Sequence, residues 1–408
     1  MLSFTSFLTE STTDKNVHLE HIEDLVLNQG VSGARDAIHF LLSLRDMFSG
    51  HSKYPVNITT KWDGAPAVIC GINPENGKFF VGTKSVFAKN AKMNYTEKDI
   101  LSNHESPGLQ EKLILCLRYL PKLGIKGVLQ GDMLFTKSSV EVKEIEGAKY
   151  VTFTPNTITY AIPRDTPLAD RLLKAQLGIV FHTEYTGKSL SQMKASFNVD
   201  LGYLHHVKDV WFRDASFVDE SGTASFTAEE TAQFNAIMTT VGHILGGVNS
   251  KALNQIALND TYRLYVKTFN NRAVRSGEGI KDTSAHTNAF IRWLDDKMST
   301  AVREAKKPET QRKRLQEKTL VVGFFRAHNS DLKRIFDLQN ALVSAKLFVL
   351  HKLSQVQSTH TFLKTSDGYR VTRPEGFVAI DHIGNAVKLV DRMEFSHANF
   401  TVAKDWSK

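Results

Sequence analysis

The sequence predicts an α+β fold, a strand-rich body interrupted by a long helical insertion. Three observations predict it. Residues 51–187 and 361–408 carry short runs of alternating apolar side chains between Gly, Pro and Asn turns, the pattern of half-buried strands. Residues 1–50 and 188–360 show few strand signals and place apolar residues three and four apart, the pattern of amphipathic helices. The 408 residues suffice for a full core and for one domain carrying a large insertion.

The elements follow in order. Leu19, Ile22, Leu25 and Val26 mark a first helix that Gly30 ends; Ala37, Ile38, Leu41 and Leu42 mark a second that Gly50 ends. Strands are expected at Val56–Thr60 and at Ala67–Ile72 with Lys78–Gly82, the last two joined by the turn Asn73-Pro74-Glu75-Asn76-Gly77. Gly77-Lys78 belongs to that turn. The spacing from Gly71 and the residue Phe79 do not fit a phosphate-binding Gly-Lys loop. Further strands are expected at Gly127–Gln130 with Met133–Phe135, Lys149–Phe153 and Gly178–Tyr185. In the insertion, Thr227-Ala228-Glu229-Glu230 forms a capping box after Phe226. Leu332, Ile335, Phe336, Leu342, Ala345, Phe348 and Val349 trace a helix face. Strands return at Thr361–Lys364, Tyr369–Val371, Gly376–Ile380 and Ala386–Val390.

Composition narrows the function classes. Cys70 and Cys116 are the only cysteines, which excludes a disulfide scaffold and a multi-cysteine zinc site. The histidines show no metal-ligand spacing, so no zinc is expected. No apolar stretch is long enough to span a bilayer, so no membrane partner is expected and the location is read as cytoplasmic. The net charge of +8 suits a polyanionic partner. The run Ala301–Lys318 carries seven Lys or Arg against three Glu; it reads either as a phosphate-tracking surface or as a solvated helix broken at Pro308. Phe290 and Trp293 read as core.

The residues with chemistry stand on strands. Lys61-Trp62-Asp63-Gly64 follows the first strand. Gly131-Asp132, Phe181, Glu375-Gly376 and Lys388 lie on later ones, in that order. Their order resembles the covalent nucleotidyltransferase superfamily of RNA ligases, DNA ligases and capping enzymes. That family's signature runs Lys-x-Asp-Gly, a Gly-Glu strand, an aromatic strand, a Glu-Gly strand and a Lys-x-Lys strand. Phe80–Ser85, with Lys84, resembles an additional element of RNA ligases. The likeness covers residues 55–190 and 360–395. It implies a nucleotidyltransferase (ATP-grasp-like ligase adenylation) domain of antiparallel sheets with flanking helices.

The resemblance implies roles. Lys61 takes AMP from ATP onto its side-chain nitrogen, with Lys388 as the second cation that lowers its pKa and meets the phosphate. Asp63, Gly64, Lys84, Asp132, Phe181, Glu375 and Gly376 bind the nucleotide, Phe181 offering the adenine an apolar face. Glu375 and Asp132 hold Mg²⁺ or Mn²⁺. The implied partner is nucleic acid, RNA before DNA, because too little chain follows Lys388 for the OB fold that DNA ligases append.

Three residues depart from the pattern. Pro66 stands where DNA ligases carry Arg, Asp132 replaces Glu, and Val390 replaces the second lysine of the last strand. Two further readings therefore stand beside an RNA ligase. One is a degenerate ligase fold acting as a nucleic-acid-binding or virion-associated protein. The other is an adenylyltransferase acting on a protein or small molecule. Phe4–Glu10 resembles the capsid-targeting leaders of large tailed phages, although an ordinary N-terminal helix is the favoured reading. That likeness implies a phage-encoded protein, in the host cytoplasm or associated with the capsid in the virion interior.

Overall fold

The computed structural model describes residues 19–50, 56–145, 147–197, 199–215, 225–355, 360–365, 368–371, 375–380 and 386–396. The leader-like start at Phe4–Glu10 lies outside them. Three sheets and a helical layer make up the described chain, an α+β arrangement.

The smallest sheet positions the candidate site. Strands β1 (Asn57–Lys61), β13 (Gly376–Ile380) and β14 (Ala386–Val390) pair antiparallel in the order β1-β13-β14. Successive side chains on a strand point to opposite faces. Ile58, Phe377, Ala379, Val387 and Leu389 face the helical core. Lys61 and Lys388 are therefore left on the other face by the same alternation.

The second sheet has the order β10-β8-β4-β2-β3, with β9 against β8. Its members are β2 (Ala67–Ile72), β3 (Phe79–Gly82), β4 (Val128–Thr136), β8 (Leu177–Thr186), β9 (Lys194–Ser196) and β10 (Val210–Asp214). The two strands expected around Gly131 are one strand, β4, with register shifts at Gln130/Gly131 and Met133/Phe135 where it pairs with β8. Helices α2 (Glu97–Asn103) and α3 (Pro107–Tyr119) pack near one face, over a core that includes Leu113, Cys116, Met133, Ile179 and Phe181. The third sheet runs β12-β11-β7-β6-β5. It contains β5 (Glu141–Ile145), β6 (Ala148–Phe153), β7 (Ile158–Pro163), β11 (His360–Thr365) and β12 (Gly368–Val371), with helix α4 (Pro167–Lys174) packed on it through Ala169 and Leu172.

The helical layer is built on α1 (Leu25–Phe48). The two helices expected there are both present within this run, and Gly30 ends the first as expected, taking the non-helical φ 65 and ψ −137. The insertion begins later than expected. Strands β9 and β10 pair with β8 and so belong to the body, and the helices start at Ala228. Parallel pairing of β10 with β8 departs from an all-antiparallel body.

The insertion's helices are α5 (Ala228–Gly246), α6 (Ser250–Leu258), α7 (Asp260–Arg275), α8 (Thr283–Arg303), α9 (Pro308–Ala327) and α10 (Asn329–Ser354). The expected capping box at Thr227 and Glu230 is present. Phe226 sets its ring at a tilt 5.0 Å from that of Phe48 and 5.8 Å from that of Phe234. Along α10, Leu332, Ile335, Phe336, Leu342, Ala345 and Val349 are fully buried, as their spacing predicts.

A buried ionic cluster joins insertion and body. Lys346 of α10 is 1% exposed and places Nζ 2.8 and 2.9 Å from the two carboxylate oxygens of Glu23. Arg392, just after β14, reaches Asp24 at 3.3 Å and Asn271 of α7 at 2.6 Å. Gln339 of α10 donates to the Glu23 carbonyl. Buried charges of this kind persist only when paired and hydrogen-bonded.

Candidate active site

Lys61 ends β1 directly opposite Gly376. Glu375 precedes Gly376, so its carboxylate comes to the lysine from the neighbouring strand, and the two form an ion pair. Glu375 is 6% exposed, and its Oε2 is buried without a hydrogen-bond partner. Gly376 has φ 152, and a side chain there would meet the Leu389 carbonyl, so only glycine fits this crossing.

Burial pulls the Lys61 pKa down, but Glu375, then Asp132 and Asp63, pull it up, and it stands above the ordinary lysine value. Burial raises Glu375 to about 7 against the opposing pull of Lys61. Lys388 is lowered to about 8, first by burial and then by Lys61, with Lys84 adding to the effect. The fields of Lys61, Lys84 and Lys388 thus overlap in one place. His21, which forms a β-bridge with Lys388, is pushed well below its usual value by burial and by Arg392, Lys346, Lys388 and Lys61. The Lys388 amide donates to the Glu20 carbonyl at 2.9 Å.

Asp132 approaches from β4. Gly64 packs so closely on it that a side chain there would meet the Asp132 Cβ at 2.5 Å. The other neighbour of Asp132 is His182 of β8, with Nε2 3.6 Å from Oδ2. The structure therefore brings together Lys61, Gly64, Asp132, Glu375, Gly376 and Lys388, with Lys84 at the rim.

A family model matches residues 16–404, and it describes a family of unknown function (DUF6267). The chain belongs to DUF6267. No curated protein and no solved structure matches it.

Two expected nucleotide ligands of this DUF6267 chain do other work. Phe181 is fully buried in the core beside α3, on the face of β8 away from the site. It cannot offer a free face to a base. The alternation of β8 instead turns His182 toward Asp132. The Asp63 carboxylate is fully occupied. It accepts from Asn156 Nδ2 at 2.8 Å, from the Thr157 amide and hydroxyl at 2.7 Å each, and from the Ile158 amide at 3.0 Å. It fastens the start of β7 beneath the lysine. Tyr160 of β7 completes this support: its hydroxyl accepts from the Asp63 amide at 2.8 Å. Its ring lies 4.9 Å from that of Trp62.

Sequence reasoning missed His182, Tyr160 and His21. His182 adjoins Phe181 and was one step of the alternation away. The β-rich run Ile158–Pro163 carried a signal for Tyr160. Nothing local marks His21.

Val390 shares its strand face with Lys388 but is 2% exposed, in an apolar cluster with Phe395. That position is built for packing, not for charge. Among the described residues no three His, Cys, Asp or Glu side chains group to hold a metal. The partnerless Oε2 of Glu375 and the lightly engaged Asp132 do suit a cation that takes its remaining ligands from phosphate and water, as Mg²⁺ commonly does. No helix among the described residues is long and apolar enough to cross a membrane.

Proposed function

We propose that the chain is a ligase-like nucleotidyltransferase that forms lysyl-AMP at Lys61 and passes the AMP to a polynucleotide 5′-phosphate, RNA before DNA, for sealing to a 3′-hydroxyl. The observation that carries this reading is the convergence of Lys61, Glu375, Lys388 and Asp132 from four strands onto one polar site, beside an otherwise apolar sheet.

The chemistry follows from the groups. The neutral Lys61 nitrogen attacks the α-phosphorus of ATP. An N–P bond forms, the bond from phosphorus to the bridging oxygen breaks, and pyrophosphate leaves with the electron pair. The resting ammonium must first lose a proton, and Glu375, with its carboxyl held near neutrality, is placed to accept it. Lys388 and Lys84 meet the phosphates and stabilise the developing charge. Asp63 and Tyr160 hold the lysine loop in place. Mg²⁺ or Mn²⁺ on Glu375 and Asp132 would supply neutralisation of the triphosphate.

One observation favours a second reading. The buried Val390 removes the second lysine of the final strand. A relative that keeps the fold and binds nucleic acid without turnover would tolerate that loss. Incubation with ATP labelled on the α-phosphate separates the two. Label retained through denaturation, and lost in Lys61→Ala, supports transfer; a chain that never takes label supports the binding-only reading.

A further inference from the structure

Helix α9 starts without a buried face. Every residue from Pro308 to Glu317 is exposed, and burial begins only at Val321 and Val322. Apart from the exposed Leu315 and the starting Pro308 this stretch is polar all round and gains nothing from the core, so it is presented to solvent for another reason. Its charge is one-sided. Residues 306–318 hold six Lys or Arg against Glu309 and Glu317. Among the described residues Lys306, Lys307, Arg312 and Lys313 have no ion-pair partner.

Behind this helix lies a cavity of about 890 Å³ between α7, α8 and α9. Its wall carries Tyr265, Phe269 and Trp293. The Trp293 ring is half-buried, with Arg272 and Lys297 each 5.7 Å from its centroid. Phe290 is core, as expected, but Trp293 is a wall of this groove. The groove's charges balance: Arg272, Lys297 and Arg314 against Asp296, Glu304 and Glu317.

A neutral groove with aromatic faces and hydrogen-bonding groups of both signs suits a nucleobase. An exposed row of unpaired cations beside it suits phosphates. We infer that the insertion is a binding site for single-stranded nucleic acid, its backbone on the exposed half of α9 and a base in the groove against Trp293. The inference deepens the proposed function by naming where the polynucleotide is held, and it can stand or fall separately. Both contact types are sequence-tolerant, since every base has a π face and every nucleotide a phosphate.

The test is anisotropy of a labelled single-stranded oligonucleotide on the full chain across a series of salt concentrations. Each variant is first checked for a parent-like thermal melt. The variant Lys306→Ala/Lys307→Ala/Arg312→Ala/Lys313→Ala should bind at least about tenfold more weakly. Its salt slope should fall by up to about 3, at ~0.7 per phosphate contact on a single strand. Trp293→Ala should weaken binding about tenfold with the slope unchanged, and Trp293→Phe should keep most of the affinity. A parent that binds no oligonucleotide at low salt overturns the inference, as it would if the helix docks an acidic protein. Binding that either alanine variant leaves unchanged overturns it too. Lysyl-AMP formation is measured alongside. A parent that binds the strand as described but takes no AMP sinks the transfer reading and leaves this site standing.

Discussion

Glu375 sits on Lys61 across the β1–β13 pair, with one carboxylate oxygen on the ammonium and the other buried without a partner. In the proposed transfer the nucleophile thus rests charged, held by the group best placed to discharge it. Glu375→Gln should remove the proton acceptor and slow AMP transfer by at least about 100-fold, within the range of general-base effects. Single-turnover labelling checks this. A rate within a few-fold of the parent would remove Glu375 from the mechanism.

Lys61 itself gives the sharpest outcome. A guanidinium stays protonated and is no nucleophile. Lys61→Arg and Lys61→Ala should both lack the AMP adduct in intact-mass spectra. In the parent the adduct should map to the peptide around Thr60–Gly64 and be labile to acid, as a phosphoramidate is. An adduct surviving Lys61→Ala would move the nucleophile elsewhere.

Lys388 predicts a pH effect with a definite sign. Its pKa is lowered to about 8, so its charge is present below that value and lost above it. If the charge meets the α-phosphate, AMP transfer should decline as pH rises through about 8. Lys388→Arg, which stays charged, should shift that decline upward, while Lys388→Ala should be slow throughout. A rate that keeps rising past pH 9 or so in the parent would contradict this role.

His286 predicts acid sensitivity of the insertion. Its ring lies 4.9 Å from those of Phe269 and Phe336, with Nε2 2.9 Å from Asn270 Oδ1. Burial lowers its pKa to about 4 from 6.5. The unfolded chain therefore binds this proton more readily, so its contribution is complete above 6.5 and is lost as pH falls toward 4. Thermal midpoints should drop across that window, and His286→Gln should flatten the dependence. An equal slope in the variant would assign the effect to other groups.

Asp63 and Lys346 predict stability losses of different kinds. Asp63→Ala leaves the Thr157 and Ile158 amides without their acceptor and should cost about 3 kcal/mol in denaturant unfolding. Lys346→Met leaves Glu23 buried with only the more distant Arg392, at 4.0 Å, and should cost roughly 3 kcal/mol. Pairing it with Glu23→Leu should recover most of that loss. A double variant no better than the single would mean that packing, not charge, is decisive there.

Most strands were legible because they rest on periodicity, which survives without knowing partners; β5, β7 and β9 and the helices α2 and α3 were not expected. Lys61, Glu375 and Lys388 were legible because the order of their motifs along the strands resembles that of a known family, and alternation then leaves Lys61 and Lys388 on one sheet face. Phe181 misled for a related reason. Alternation assigns residues to two faces but does not say which face meets α3 and which meets Asp132. Asp63 misled because its donors come from Asn156–Ile158, distant in sequence and invisible to local pattern. Strand β10 was missed because it is short and pairs in parallel with β8 across an intervening loop.

The ion cluster of Glu23, Asp24, Lys346 and Arg392 makes the insertion inseparable from its host. Three distant stretches of chain each contribute a charge that is intolerable alone. A lineage cannot shed the helices, or exchange them for another set, by one recombination event, because Glu23, left behind, would lose Lys346 at once and keep only Arg392 at 4.0 Å. Any shortening must proceed through concerted replacement at these positions. The same logic warns the engineer: a trimmed strand body must carry a neutral residue at 23 before it can be expected to persist on its own, whereas Asp24 keeps Arg392.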